Sequence, residues 1–310
     1  MQLQTIEALL AESVARWNIP GASMAVLVGG EVLEAAAGIA NLNSGLRVTP
    51  DTLFQYGSIT KALTSTLVLR LVQQGLVALD APVTDYVPEF RPASAELAKR
   101  ITVRQLLAHS SGLPGTIFRD TGWGEDALRA NVELINQHPQ YVEPGLMFSY
   151  WALFREAWST QSRPPTDLLT RRWGLGWTLY DWARGVEVVG HNGSTAGTIS
   201  FLRIHPATES AVALLVNSSN GLLLYDEVFS EVFRALTGVW EPGLPASAPG
   251  FTPEPARYEG VFEDIHGRVS RYTMNVGKER TRQVERSALC TLDNGERYFH
   301  DGYLALKQVR

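Results

Sequence analysis

The segment from Ser58 to Gln74 sets the strongest constraint on the fold. It carries Leu63, Leu67 and Leu71 on one helical face, further apolar residues around most of the rest, and Gly75 where a helix would end. A helix apolar on nearly every side is expected to be buried. Into its first turn the chain puts Ser58 and Lys61, a hydroxyl and an amine three positions apart, which lie on one side of a helix. The chain has only four lysines, Lys61, Lys99, Lys278 and Lys307, and an unpaired ammonium in its most apolar helix would be costly. A solvated surface lysine leaves that placement unexplained. Near the positive end of the helix dipole the ammonium is disfavoured, and a neutral amine there can accept the Ser58 proton.

The flanking pattern predicts what surrounds this helix. Leu3, Ile6, Leu9, Leu10 and Val14 recur at helical spacing and Pro20-Gly21 ends the run, so an amphipathic helix is expected over 3–17. Ala22 to Val28 and Val32 to Ala40 are β-prone runs about Gly29-Gly30-Glu31, a hairpin signal. Prolines punctuate 79–90, Thr102 reads as the N-cap of a short helix reaching His109, and Ser110 to Pro114 breaks it. Residues 115–145 read as loop with one helix near 125–135; beyond 186 the runs 197–204 and 211–217 predict strands, and 222–236 a helix. Strands and helices in this order give an α+β fold, an antiparallel sheet flanked by helices. Five prolines among small residues make 241–255 a linker between a main domain, 1–240, and a tail, 256–310. In the tail, alternating runs at 258–262, 270–276, 286–292 and 298–306, with a turn at Asp293-Asn294-Gly295, predict a small β appendage.

Composition narrows the chemistry. A net charge of −5 without a Lys/Arg-rich run argues against a nucleic-acid surface or an anionic membrane and favours a small neutral substrate. The single cysteine, Cys290, can form neither an intrachain disulfide nor a cysteine-based metal site. The first residues, Met1 to Glu7, lack a basic region followed by an apolar core, so cytoplasmic residence is expected, and no apolar run is long enough for a bilayer. There is no Gly-x-Ser-x-Gly elbow, no His-Glu-x-x-His helix and no phosphate loop. His109, His138, His205, His266 and His300 lack ligand spacing, so the expectation is chemistry without a metal or cofactor.

Ser58-Ile59-Thr60-Lys61 has wider company. Pro50 to Phe54 before it, Gly75 to Val83 after it, and Ile101 to Leu113 together resemble the serine β-lactamase-related hydrolases, the group that includes class C β-lactamases, D-alanyl-D-alanine peptidases and family VIII esterases. The resemblance covers most of 20–150. It implies Ser58 as nucleophile and Lys61 as its base. It also implies that Tyr150, at the end of Pro144-Gly145-Leu146-Met147-Phe148-Ser149-Tyr150, moves protons between serine and leaving group. His191-Asn192-Gly193-Ser194 resembles the family's third element, a strand beside the serine. There Gly193 lets substrate approach the strand edge, the Ser194 and Ser58 amides form an oxyanion hole, and His191 bonds near Tyr150 or the substrate.

Two departures qualify the expected activity. Trp151-Ala152 stands where the family pattern after Tyr150 has Ser-Asn, removing an amide that would hold Lys61 and the substrate carbonyl. Tyr150 and His191 are separated by only 41 positions, where relatives place most of a helical subdomain forming one cleft wall, so a shortened helical subdomain is expected. His191 in place of lysine removes a cation for a β-lactam carboxylate, which turns the expectation from β-lactamase toward a serine esterase or peptidase working through an acyl-enzyme on small esters, amides or peptides. Two alternatives stay open: a family member that has lost turnover and binds a partner or ligand, and a fragment or imperfect gene product. The tail from about 253 resembles the lipocalin-like small barrel that follows this domain in some relatives, but is too short to close.

Overall fold

The computed structural model describes residues 3–92, 95–113, 120–138, 140, 143–145, 171–182 and 185–241, together with the backbone of five short strands between 260 and 308. The chain divides into two compact units, Met1–Leu67 with Gly176–Gly243, and Val68–Leu175 with Leu244–Arg310.

The first unit opens with helix α1, Leu3–Arg16, and the hairpin of β1, Gly21–Val28, and β2, Glu31–Asn41. Val28 pairs with Glu31 across a two-residue turn at Gly29-Gly30. A two-residue strand follows, β3, Leu46–Arg47, and helix α2, Ile59–Gln73, starts in this unit. The chain returns through β5, Thr178–Trp182, β6, Val186–Thr195, β7, Thr198–His205, and β8, Ser210–Val216. β8 sits beside β1, joining the two ends of the sequence in one antiparallel sheet of order β3-β2-β1-β8-β7-β6-β5. Helix α6, Gly221–Leu224, a π-helical segment, Tyr225–Phe229, and helix α7, Ser230–Thr237, occupy the region expected as one helix over 222–236. The fold class is as expected: α+β, with an antiparallel sheet and flanking helices.

Alternation puts one side chain in two on each face of the sheet. Met24, Val26, Tyr180, Trp182, Phe201, Val212 and Leu214 meet Ile6, Leu10 and Val14 of α1 and Leu224, Phe229 and Phe233 of the C-terminal helices in a single buried cluster. The π-helical segment stacks Tyr225 on Phe229, centroids 4.9 Å apart, and sets Tyr225 4.4 Å from Phe201.

α2 corrects the expectation of burial on all sides. Its inner face is Ile59, Ala62 and Ser65, mostly small side chains that let a helix approach its neighbours closely. The leucine face is outside: Leu63, Leu67 and Leu71 are 44%, 66% and 40% exposed.

The described residues of the second unit include the short helices α3, Ala95–Ala98, α4, Val103–Leu107, and α5, Glu125–Asn136, and the strand β4, Arg171–Trp173. Thr102 caps α4 as expected, within a reciprocal pair: its hydroxyl accepts from the Gln105 amide at 3.1 Å, and its own amide donates to Gln105 Oε1 at 3.0 Å. Arg104 grips Asp80 through two bonds of 2.6 and 2.9 Å and holds the Asp80 carboxyl below its usual pKa. Asn136 ties α5 to the proline-punctuated segment, accepting from Arg91 N and donating to Glu89 O, each at 2.7 Å.

Among the described residues the tail has five strands, β9, Gly260–Glu263, β10, Val269–Tyr272, β11, Ala288–Thr291, β12, Arg297–His300, and β13, Ala305–Gln308, in the antiparallel order β10-β9-β13-β12-β11. The single run expected over 298–306 is two strands, β12 and β13, paired with each other. Among the described residues no pairing joins β10 to β11, so the described sheet has two open edges. The linker expected over 241–255 lies, from 242 on, outside the described residues. Among the described residues no helix is long and apolar enough to cross a membrane.

Candidate active site

Ser58 stands just before α2, and the first turn is wound tightly: Ile59, Thr60 and Lys61 donate to the carbonyls of Tyr56, Gly57 and Ser58 at 3.3, 3.0 and 3.0 Å. Bonds to the third residue back are those of a 3₁₀ turn, in which positions three apart eclipse one another. Ser58 and Lys61 therefore meet, Lys61 Nζ to Ser58 Oγ at 2.9 Å. Burial lowers the Lys61 pKa from 10.5 to about 8. An amine with that affinity, in contact with a hydroxyl, can take up its proton near neutral pH.

β6 carries the second half of the site. Pairing with β5 ends at Gly190 opposite Thr178, so no described strand covers His191 to Thr195 on that side. On the other side β7 pairs through to Thr195 opposite Thr198. The turn bearing Ser58 lies against this stretch. Gly57 has φ +53, and a Cβ there would stand 2.6 Å from Ser194 N and 2.8 Å from Ser194 O. Only glycine meets both demands, left-handed backbone and contact with a neighbouring peptide. Ser58 is half-buried and Ser194 exposed, so solvent reaches the junction between them.

Gly193 is also required by the packing of the Ser58 turn. A Cβ on it would fall 1.9 Å from the Tyr56 carbonyl oxygen and 2.4 Å from Ser200 Oγ. The missing side chain makes room for the chain that delivers Ser58. His191 is buried at 1% exposure, with Nδ1 against the Asn192 carbonyl. Tyr150, Trp151 and Ala152 lie outside the described residues.

Two groups that the sequence did not single out support β6. Arg203 is buried on the opposite face of the sheet, where its guanidinium donates to Asn192 Oδ1 at 2.8 Å, to Leu202 O at 2.9 Å and to the Tyr225 hydroxyl at 3.0 Å. It lies 3.9 Å above the Tyr180 ring, and Tyr225 in turn donates to Glu241 at 2.7 Å. Ser200, fully buried, donates to the Tyr56 carbonyl at 2.8 Å. An arginine inside the apolar run Phe201 to Ile204 was the one sequence signal for the first; nothing local signalled the second. Of the other described histidines, His109 is buried edge-on to Trp173, and His205 bonds Thr208 Oγ1 at 2.7 Å. Among the described residues no group of three His, Cys, Asp or Glu side chains gathers as a metal site would require.

Comparison with known proteins bears on the chain's family and fold. The Beta-lactamase family profile matches residues 6–153 and 154–236. The chain is 27% identical over 359 residues to Penicillin-binding protein 4 of Amycolatopsis lactamdurans, covering 79% of this chain and 93% of that protein. It is 38% identical over 125 residues to Esterase EstB of Burkholderia gladioli, covering 40% of this chain and 32% of the esterase. Among solved structures it resembles SurE with D-Leu, at a TM-score of 0.68 and 20% identity over 99% of both chains. The 359 positions aligned with Penicillin-binding protein 4 draw on only 79% of a 310-residue chain, so that protein has about a hundred residues without a counterpart here. The family match is in two parts that meet between Leu153 and Phe154, in the interval from Tyr150 to His191. The chain belongs to the Beta-lactamase family.

Proposed function

We propose that the protein is a serine hydrolase acting on small esters, amides or peptides through an acyl-enzyme. The observation that carries this reading is the 2.9 Å contact between Ser58 Oγ and an Lys61 amine whose pKa burial brings to about 8. In the proposed reaction Lys61 accepts the Ser58 proton as Oγ attacks the acyl carbonyl. The oxyanion is held by the Ser58 and Ser194 amides on either side of the Gly57 junction. The proton passes to the leaving alcohol or amine, by way of Tyr150 with Lys61, and water then attacks the acyl carbon to release the acid and restore Ser58. His191 and Gly193 belong to the same strand: His191 is assigned to orienting substrate or Tyr150, and Gly193 to seating the Ser58 turn. The working unit is assigned to 1–240, with 241–255 a linker and 256–310 an appendage. Relatives named as an esterase and a penicillin-binding protein, and a fold neighbour solved with D-Leu, support esters, β-lactams and D-amino-acid derivatives as the substrates to try first.

Incubation with a fluorophosphonate followed by intact-mass measurement tests this. One adduct on the wild type and none on Ser58→Ala is the expected outcome, alongside Ser58-dependent hydrolysis of p-nitrophenyl esters. No adduct on the wild type, or an equal adduct on Ser58→Ala, would sink the proposal. A second reading is favoured by Trp151-Ala152 and by the 41 positions that separate Tyr150 from His191: a scaffold that binds without turning over. Ser58 labelling with no ester, amide or cephalosporin turnover would select it.

A further inference from the structure

The turn bearing Ser58 is held to β6 and β7 by side chains that take no part in the proposed chemistry. Ser200 is opposite Gly193 in the β6–β7 register, fully buried, with Oγ 2.8 Å from the Tyr56 carbonyl oxygen. That same oxygen accepts from the Ile59 amide at 3.3 Å, so it joins the start of α2 to the sheet. Gly193 leaves the space in which the bond forms: a Cβ there would collide with the Tyr56 oxygen and with Ser200 Oγ. Thr198 adds a longer bond, 3.3 Å, to the Gln55 carbonyl. One residue beyond Tyr56, the Gly57 backbone meets the Ser194 peptide.

From this geometry we infer that Ser200 is a positioning residue for the oxyanion hole. By fastening the Tyr56 carbonyl two residues before Ser58, it sets the separation of the Ser58 and Ser194 amides. Those amides belong to segments more than 130 positions apart in the chain, and no local hydrogen bond can set their spacing. Without the hydroxyl the Tyr56 carbonyl loses its partner on the sheet, and the turn is free to drift by fractions of an ångström. Removing one oxyanion donor outright costs about 100- to 1,000-fold in kcat, and misplacing a site by about 1 Å costs about 100-fold. The inference rests on Ser58 acyl transfer as proposed above.

Steady-state hydrolysis of a p-nitrophenyl ester and of its thionoester counterpart, by wild type, Ser200→Ala and Ser200→Thr, is the test. Sulfur is a poor acceptor, so an intact oxyanion hole favours the oxygen ester and a loosened one discriminates less. For Ser200→Ala we expect kcat for the oxygen ester to fall about 10- to 100-fold, KM to change little, and the oxygen-to-sulfur preference to shrink. Ser200→Thr, which keeps the hydroxyl, should restore most of the rate. If Ser200→Ala does not fold, Ser200→Cys, close to serine in shape but a poor donor, should show the same losses. Unchanged kcat in a folded Ala or Cys variant, a fall in kcat with the oxygen-to-sulfur preference intact, or a Thr variant as slow as Ala would each overturn the inference while leaving Ser58 catalysis standing. A wild type with no Ser58-dependent adduct or turnover would instead remove the reaction itself.

Discussion

Lys61 gives up part of its hydration at the start of α2, and burial brings its pKa to about 8, below the 10.5 of a free lysine. The sequence pointed to the helix dipole as the cause; in the folded chain desolvation is the cause. The sign of the effect on rate follows directly. The amine accepts a proton only when neutral, and the neutral fraction grows as pH rises through the pKa. Ester hydrolysis should therefore climb with pH in proportion to that fraction and level off above about 8, the value burial sets. A profile already flat well below this, with Ser58 labelling intact, would take the base role from Lys61. Ser58 and Lys61 were legible from sequence because their relation is local, three residues within one helical turn. The Ser200 bond to Tyr56 spans 144 positions and follows from no local pattern.

Helix α2 shows where pattern reading fails at the scale of an element. Apolar residues around most of a helix say that much of it has to be covered, but not which face takes the contact. Here the contact goes to Ile59, Ala62 and Ser65, and the larger Leu63, Leu67 and Leu71 remain on the surface. Two substitutions with opposite outcomes test the assignment by chemical denaturation. Leu67→Gln, at a position 66% exposed, should change stability by no more than about 0.5 kcal/mol. Ala62→Leu, at a fully buried position, should cost about 1–3 kcal/mol through overpacking. The reverse ranking would mean that the leucine face is the packed one. The hairpin at Gly29-Gly30 and the Thr102 cap were readable because turn and cap chemistry act within a few residues.

In the first unit as a whole, stability and site depend on the same assembly. β8 inserts beside β1, and the sheet so formed seats β6 and β7 under the Ser58 turn. The aromatic layer behind it, Phe201, Tyr225, Phe229 and Phe233, anchors the C-terminal helices. Phe229→Ala, at a fully buried ring, should cost about 3–5 kcal/mol, seen as a lower denaturation midpoint. A cost below about 1 kcal/mol, typical of surface changes, would show that this layer does not hold the unit together.

Local chemistry was written in the sequence: the helical pairing of Ser58 with Lys61, the alternation that makes strands, the His191-Asn192-Gly193-Ser194 strand, and the short interval that the break in the family match falls within. Only the tertiary structure decided which face of α2 is buried, that Gly193 makes room for the Tyr56 carbonyl, and that Ser200 and Arg203 brace β6 from its two faces. The reason is physical. Periodicity and spacing report interactions within a turn or a strand, whereas the register between strands and the approach of one backbone to another are settled only when distant segments pack.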